Sequence, residues 1–335
     1  MDISARYLGL ELRNPLVASA SPLASTADGV KRLAGAGVAA VVLPSLFEEE
    51  LRRQAAQDAA LAQAGTESFA ESLSYFPEGV DAEPGPRQYL SLLERAAAAV
   101  DVPVIASLNG VTTGGWTDYA SALEQAGAAA IELNIYHLPA NPLTSGRDVE
   151  QRHIDVLTTV KAVVGVPVAV KLSPYFSSVG EVAVRLDRAG ADGLVLFNRF
   201  MQPDIDPESL AVTAGFALSS PAEARLPRAW IALLAGRVNA SLAASTGVED
   251  AADVAAYLLA GADVVMTTSA LLRHGPEHAT ALLGGLTAWM TRKGFRALDD
   301  LRGRLAVPAD QGEAARERAS YVDTLRAADR DGGPW

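Results

Sequence analysis

One phrase recurs four times along this chain and narrows the folds open to it. Ala36-Gly37-Val38 leads into Ala39–Ser45, and Ala126-Gly127-Ala128 leads into Ala129–Asn134. Ala189-Gly190-Ala191 leads into Asp192–Asn198, and Ala260-Gly261-Ala262 leads into Asp263–Ser269. Each phrase follows a stretch of helical character and sets Gly where a helix end takes a left-handed residue. Each then opens a short apolar run closing on polar residues, the pattern of a buried strand. A second phrase alternates with the first: Val102-Pro103-Val104 runs to Ser107, and Val166-Pro167-Val168 runs to Lys171. With Leu16–Ser19 and Asn239–Ala244, eight strands result.

Helices are predicted between them over 27–36, 87–100, 116–126, 147–164, 178–189, 221–236, 249–260 and 276–293. Strand–helix alternation implies a parallel sheet. Eight units in one chain predict a closed (β/α)8 TIM barrel, a fold of roughly 200 to over 400 residues. An open doubly wound sheet is the alternative, and the even repetition of one strand-entry phrase favours the barrel. The barrel is expected over 1–302, followed by a tail over 303–335 with one amphipathic helix and frayed last residues.

Composition excludes several function classes. Net charge is −12 and pI is near 4.9, which disfavours nucleic acid and anionic membrane surfaces as partners. No run of about 18 apolar residues marks a spanning helix, and the first residues carry no signal-peptide apolar region. A cytoplasmic protein acting on a small molecule is the expectation. Cysteine is absent, which removes disulfides, cysteine-ligated clusters and a cysteine nucleophile or base. Of the four histidines, His274 and His278 stand four apart, but beside Gly275-Pro276, and no metal site is expected.

Lys171, one of four lysines, ends a run that reads as a buried strand. A buried ammonium is costly unless something anionic meets it, so the strand delivers positive charge to a site. In a barrel the chemistry lies at the C-terminal face. The strand ends there read Ser19-Ala20-Ser21, Ser45, Asn109, Asn134, Lys171, Asn198, Ser245-Thr246-Gly247 and Thr268-Ser269. One polar residue at a strand end is an ordinary loop residue meeting water; the conjunction carries the reading. Hydroxyls and Gly after the seventh and eighth strands stand where barrels often bind phosphate. Amides can serve a ring that both donates and accepts. Together they suit a flavin mononucleotide (FMN), with Lys171 near the N1–O2 edge to stabilise the anionic reduced ring.

At this point the chain resembles the dihydroorotate dehydrogenase family, and within it the soluble dihydroorotate-dehydrogenase-like branch. The resemblance spans about residues 3–300. It rests on Tyr7–Pro15, Glu132-Leu133-Asn134-Ile135, Val170–Pro174, Asn198, Leu259–Val264 and Ser269–Pro276 in that order. It implies an FMN-dependent oxidoreductase of pyrimidine biosynthesis that passes hydride between a CH–CH or C=C bond and flavin N5, and often a homodimer. Lys171 falls on the family's flavin-contacting lysine. Asn134 and Asn198 fall between flavin and substrate. Ser19, Ala20 and Ser21 touch flavin through backbone, and Ser219-Ser220 falls on the segment covering it. The phosphate turns fall on Ala244–Gly247 and Thr268-Ser269.

The substrate side departs from the family pattern. The family's base, a Cys or Ser, is His137 here, and a histidine can exchange a proton near neutral pH. The lysine after the second strand is replaced by Pro44, and the asparagine after the base by Leu138-Pro139. The substrate loop reads Ser72–Glu78, so Ser72, Tyr75 and Tyr136 are expected to meet substrate alongside Asn134 and Asn198. Hydroxyls replace glycines in the phosphate turns. Such rewriting changes specificity, because sites built on particular hydrogen bonds reject molecules that cannot make them. Three readings stay open: a catalytic flavoenzyme with His137 as acid or base, a flavin- or nucleotide-binding protein without turnover, and a phosphate-binding lyase or isomerase using Lys171.

Overall fold

Eight parallel strands close on themselves: β3 (Leu16–Ala18), β4 (Ala40–Phe47), β5 (Val104–Asn109), β6 (Ala130–Asn134), β7 (Val168–Leu172), β8 (Gly193–Leu196), β11 (Ser241–Ala244) and β12 (Val264–Thr267). They follow chain order around the ring, and β12 pairs with β3 to shut it. The expected (β/α)8 barrel is therefore the observed fold. The computed structural model describes residues 1–53, 85–110, 116–136, 139, 141–199, 204–213 and 217–308.

The recurring phrase works as its chemistry predicts. Gly37, Gly127, Gly190 and Gly261 all have left-handed φ, between 94° and 117°, a conformation that costs other residues more than Gly. Where an Asp opens the strand, its carboxylate closes the bottom of the ring. Asp192 accepts from Val168 N and Asp263 from Leu242 N, each at 2.7 Å, on the neighbouring strand. Lys161 Nζ meets Asp192 at 2.7 Å, tying a helix end to the same point.

The outer helices are α1 (Ala27–Gly35), α2 (Pro86–Ala97), α3 (Trp116–Gln125), α4 (Gly146–Lys161), α5 (Val179–Arg188), α6 (Arg225–Leu234), α7 (Ala251–Ala260), α8 (Ser269–His274) and α9 (His278–Lys293). Several are capped as their sequences require. Ser145 accepts from Asp148 N at 3.1 Å to start α4, and Asp250 accepts from Ala252 N and Asp253 N to start α7. Their inner faces bury Val30, Leu33, Val156, Val160, Val182, Leu186 and Leu258 against the strands.

Three features were not anticipated. A hairpin of β1 (Ala5–Tyr7) and β2 (Leu10–Leu12) packs on the barrel, with Leu8 N donating to Ser241 Oγ at 3.1 Å. A second hairpin, β9 (Asp204–Asp206) with β10 (Ala211–Thr213), follows β8. The helix expected over 276–293 is observed as α9, and the short α8 before it, set off by Gly275 (φ 87°) and Pro276, was not expected. The tail beyond 308 lies outside the described residues.

Candidate active site

Lys171 sits near the C-terminal end of β7, buried at 8% exposure. Its anionic neighbour is Glu132 on β6, 1% exposed, with Nζ and Oε1 3.4 Å apart. Ser19 Oγ accepts from the same ammonium at 3.4 Å. Both contacts are longer than a good charge-assisted bond of about 2.7–2.9 Å. An ammonium has three donors, so capacity remains for an acceptor in the cleft.

Beside the lysine stands a chain of amides and hydroxyls. Asn198 Nδ2 donates to Asn134 Oδ1 at 2.6 Å, and Asn134 Nδ2 donates to Ser45 Oγ at 3.3 Å. Ser45 Oγ and Ser107 Oγ lie 2.8 Å apart. Behind them the Tyr89 hydroxyl, on α2, accepts from Ser107 N at 2.9 Å. Asn109 is buried and in register with Asn134, and Asn134 is in register with Lys171. One row of strand-end residues thus runs from β5 across β7.

The other half of the site is a set of turns after β11 and β12. Thr246 and Gly247 have φ of 82° and 71°, a costly conformation for a β-branched residue. The Tyr257 hydroxyl holds the turn by donating to Thr246 O at 2.6 Å, and Thr246 Oγ1 donates to Phe197 O at 3.1 Å. Thr268 Oγ1 donates to Ser19 O at 3.0 Å, linking the last turn to the first. Ser219 N and Oγ both reach Ser269 Oγ, at 3.0 and 2.9 Å, and Gly247 N donates to Ser219 Oγ at 3.2 Å. Arg273 donates to Ser219 O at 2.7 Å and pairs with Glu249, which also meets His274 at 2.7 Å.

These residues surround one cleft, about 640 Å³ counted out to its open mouth. Ser19, Ala20, Lys171, Asn198, Ser219, Ser245, Thr246, Gly247, Thr268 and Ser269 all line it, as the sequence led us to expect. Asn134 and Ser45 reach it through Asn198. Ser21 is buried ahead of a short 3-10 turn, Pro22–Ala24, and does not line the cleft. Ser220 turns away: it is exposed and bonds Glu223 as a cap for the 3-10 turn Pro221–Ala224. Tyr136 is half-buried just past β6, its N–H on Asn134 O at 3.0 Å. His137, Ser72 and Tyr75 lie outside the described residues.

Sequence reasoning missed Glu132 and Tyr89, which support the site from behind, and Phe197, Arg199 and Leu218, which line it. Glu132 could have been found by the rule that singled out Lys171, since it is a charge within an apolar strand.

The donor set fits FMN. Hydroxyls gather at the turns after β11 and β12, a combination that suits a phosphate monoester. The incompletely used ammonium of Lys171 suits an anionic partner. Asn198 Oδ1 and the remaining amide N–H groups suit a ring edge that both donates and accepts.

Comparison with known proteins agrees. The family model for dihydroorotate dehydrogenase matches residues 4–290. The chain belongs to the dihydroorotate dehydrogenase family. It is an FMN-dependent oxidoreductase of the dihydroorotate dehydrogenase type.

Among its relatives, a protein of Aeropyrum pernix assigned as dihydroorotate dehydrogenase A (fumarate) is 32% identical over 66% of this chain and 74% of its own length. The dihydroorotate dehydrogenase B (NAD(+)) catalytic subunit of Methanothermobacter thermautotrophicus is 28% identical over 88% of this chain and 95% of its own. The corresponding subunit of Methanocella arvoryzae is 28% identical over 90% of this chain and 97% of its own. Within this dihydroorotate dehydrogenase fold, no helix among the described residues is long and apolar enough to cross a membrane.

Proposed function

We propose that this chain oxidises a substrate CH–CH bond to C=C, or runs the reverse reduction, in the cleft around Lys171. Dihydroorotate is the reference substrate. The observation that supports this most strongly is the buried Lys171 ammonium beside the Asn134–Asn198 pair at the mouth of the barrel. FMN, when bound, supplies the acceptor for the hydride lost by the substrate carbon.

Each residue then has a task. Ser245, Thr246, Gly247, Thr268 and Ser269 hold the phosphate end. Lys171 stabilises the negative charge that builds up on reduction, a form of fixed electrostatic support. Asn134 and Asn198 orient the substrate through their unused amide donors and acceptor. His137, one residue past Tyr136, accepts the proton from the adjacent carbon through a neutral ring nitrogen and returns it in the reverse direction. Ser72, Tyr75 and Tyr136 complete the substrate pocket. Residues 1–302 form the catalytic unit, and 303–335 are an appended tail.

We place this activity in the cytoplasm, on a small molecule, in a homodimer. Fumarate and NAD(+), the acceptors in the relatives' names, are the reoxidants to try first.

The test is stopped-flow reduction by dihydroorotate of the FMN-loaded protein and of His137→Ala. The variant is expected to keep its flavin and to be reduced roughly 100- to 10,000-fold more slowly, the usual worth of a positioned acid or base. An unchanged rate removes His137 from the reaction. Pro44, standing where the family has lysine, favours a second reading as a flavin binder without turnover, for which no donor reduces the bound flavin.

A further inference from the structure

Glu132 is a carboxylate that the fold keeps at a cost. It lies on β6, 1% exposed, in register with Ser107 on β5 and Ala169 on β7. Its Oε2 has no hydrogen-bond partner among the described residues. Its Oε1 meets Lys171 Nζ only at 3.4 Å. A buried ion pair with loose geometry and an unsatisfied oxygen is weak evidence for stability, because desolvation of both charges works against it. A neutral, well-packed pair would serve the barrel core better. The charge therefore serves the cleft that Lys171 faces.

We infer that Glu132 is the positioning residue that keeps Lys171 an ammonium while the negative charge in the cleft comes and goes. The inference rests on the FMN-binding reading above. The oxidised ring is neutral, and the reduced ring carries negative charge that a nearby cation stabilises. A lysine buried against apolar strands sheds its proton readily when no anion faces it. Without a fixed carboxylate, Lys171 has an anionic partner in only one half of the cycle. With Glu132 behind it, the ammonium has a partner in both halves.

The groups around the pair leave this role to Glu132. Ser19, on the loop after β3, offers only a hydroxyl. Tyr7 on β1 and Tyr89 on α2 stand near enough for the Glu132 charge to act on their phenols, and burial, reinforced by that charge, pushes both well above the ordinary tyrosine range. They stay neutral. Arg199 lines the same cleft but is engaged with Glu223 at 2.9 Å. Glu132 is the one ion-pair partner of Lys171 among the described residues.

The consequence is a proton count. In the wild type, two-electron reduction takes up one proton, on the ring, because Lys171 is already charged. In Glu132→Gln, Lys171 loses its proton in the oxidised protein and regains one on reduction. Two protons then accompany two electrons, and the midpoint potential falls about twice as steeply with pH by linkage.

The experiment is a redox titration of bound FMN in the wild type and Glu132→Gln, repeated from about pH 7 to pH 9. We expect the variant to retain FMN with the doubled slope, and the wild type to keep the single-proton slope. Glu132→Gln/Lys171→Met, which has no lysine proton to exchange, should return to the single-proton slope. Equal slopes in the wild type and Glu132→Gln overturn the inference, as does a steep slope in the double variant. If Glu132→Gln fails to fold, Glu132→Asp, whose shorter arm lengthens the contact, is expected to steepen the slope at the alkaline end, and an unchanged slope there also overturns it. A wild type that binds no FMN contradicts the FMN reading itself and is distinguishable from all of these.

Discussion

The side chains of Asn134 and Asn198 are joined by a 2.6 Å hydrogen bond although their strands are not neighbours. β7, which carries Lys171, lies between them in the ring. The bond therefore spans the strand that bears the cation and fixes which amide atoms remain for a ligand. With Asn134 Oδ1 occupied by Asn198 and one Asn134 N–H given to Ser45, the pair offers two N–H donors and the acceptor Asn198 Oδ1.

Breaking this chain should cost stability as well as function. Asn134→Leu removes the acceptor for Asn198 and the donor to Ser45, and half-buried polar groups left without partners cost about 1–3 kcal/mol. Urea unfolding should show a lower midpoint with an unchanged slope, the mark of a stability change alone. Ser45→Ala should cost at least about 1 kcal/mol, since it leaves the buried Ser107 hydroxyl and one Asn134 N–H without their partner. An unchanged midpoint for Asn134→Leu would show that the amide chain contributes nothing to holding the rim.

Gly247 has no room for a side chain. Its φ is 71°, and a Cβ there would lie 2.8 Å from Ala224 Cβ, Ala224 N and Ser220 O. Two of those atoms belong to backbone, so the turn must move. Gly247→Ala is expected to lose about 2 kcal/mol or more, from the left-handed conformation plus the clash. It should also release FMN during gel filtration under conditions where the wild type retains it. Full retention by the variant would place the phosphate end elsewhere.

Much of this site was readable beforehand because strand ends announce themselves. A polar residue closing an apolar run has one place to go in a barrel, the rim, and Asn134, Lys171, Ser245 and Thr268 are there. The residues behind the rim were less legible. Glu132 sits two residues before Asn134 on the same face of its strand, where an acid looks like a break in the apolar pattern. Tyr89 comes from a helix, and its bond to Ser107 depends on how that helix packs. Ser220 shows a choice the sequence leaves open: a serine before Pro221 can face the cleft or cap a turn, and Glu223, three residues on, takes it as a cap. The hairpins β1–β2 and β9–β10 were missed because three-residue strands carry almost no periodicity.

The clamp on Ser219 should respond to acid. Burial raises the Glu249 carboxyl, but the hydrogen bond from His274 and the charge of Arg273 outweigh it and hold the group below its ordinary value of 4.5. A depressed carboxylate adds stability above its unfolded pKa and loses it as pH falls through the folded value. Acidification below pH 4.5 should therefore loosen Arg273, which also holds Ser219 O. The thermal midpoint of the wild type should fall more steeply across that range than that of Glu249→Gln. Identical pH profiles would remove Glu249 from the clamp.

The central claim is tested most directly by an anaerobic visible spectrum of the FMN-loaded protein before and after addition of dihydroorotate. Retention of the flavin band, followed by its bleaching, is the expected result. A colourless protein that refuses added FMN would contradict the account at its root, and a stable band that no dihydroorotate bleaches would keep the cofactor and overturn the reference substrate.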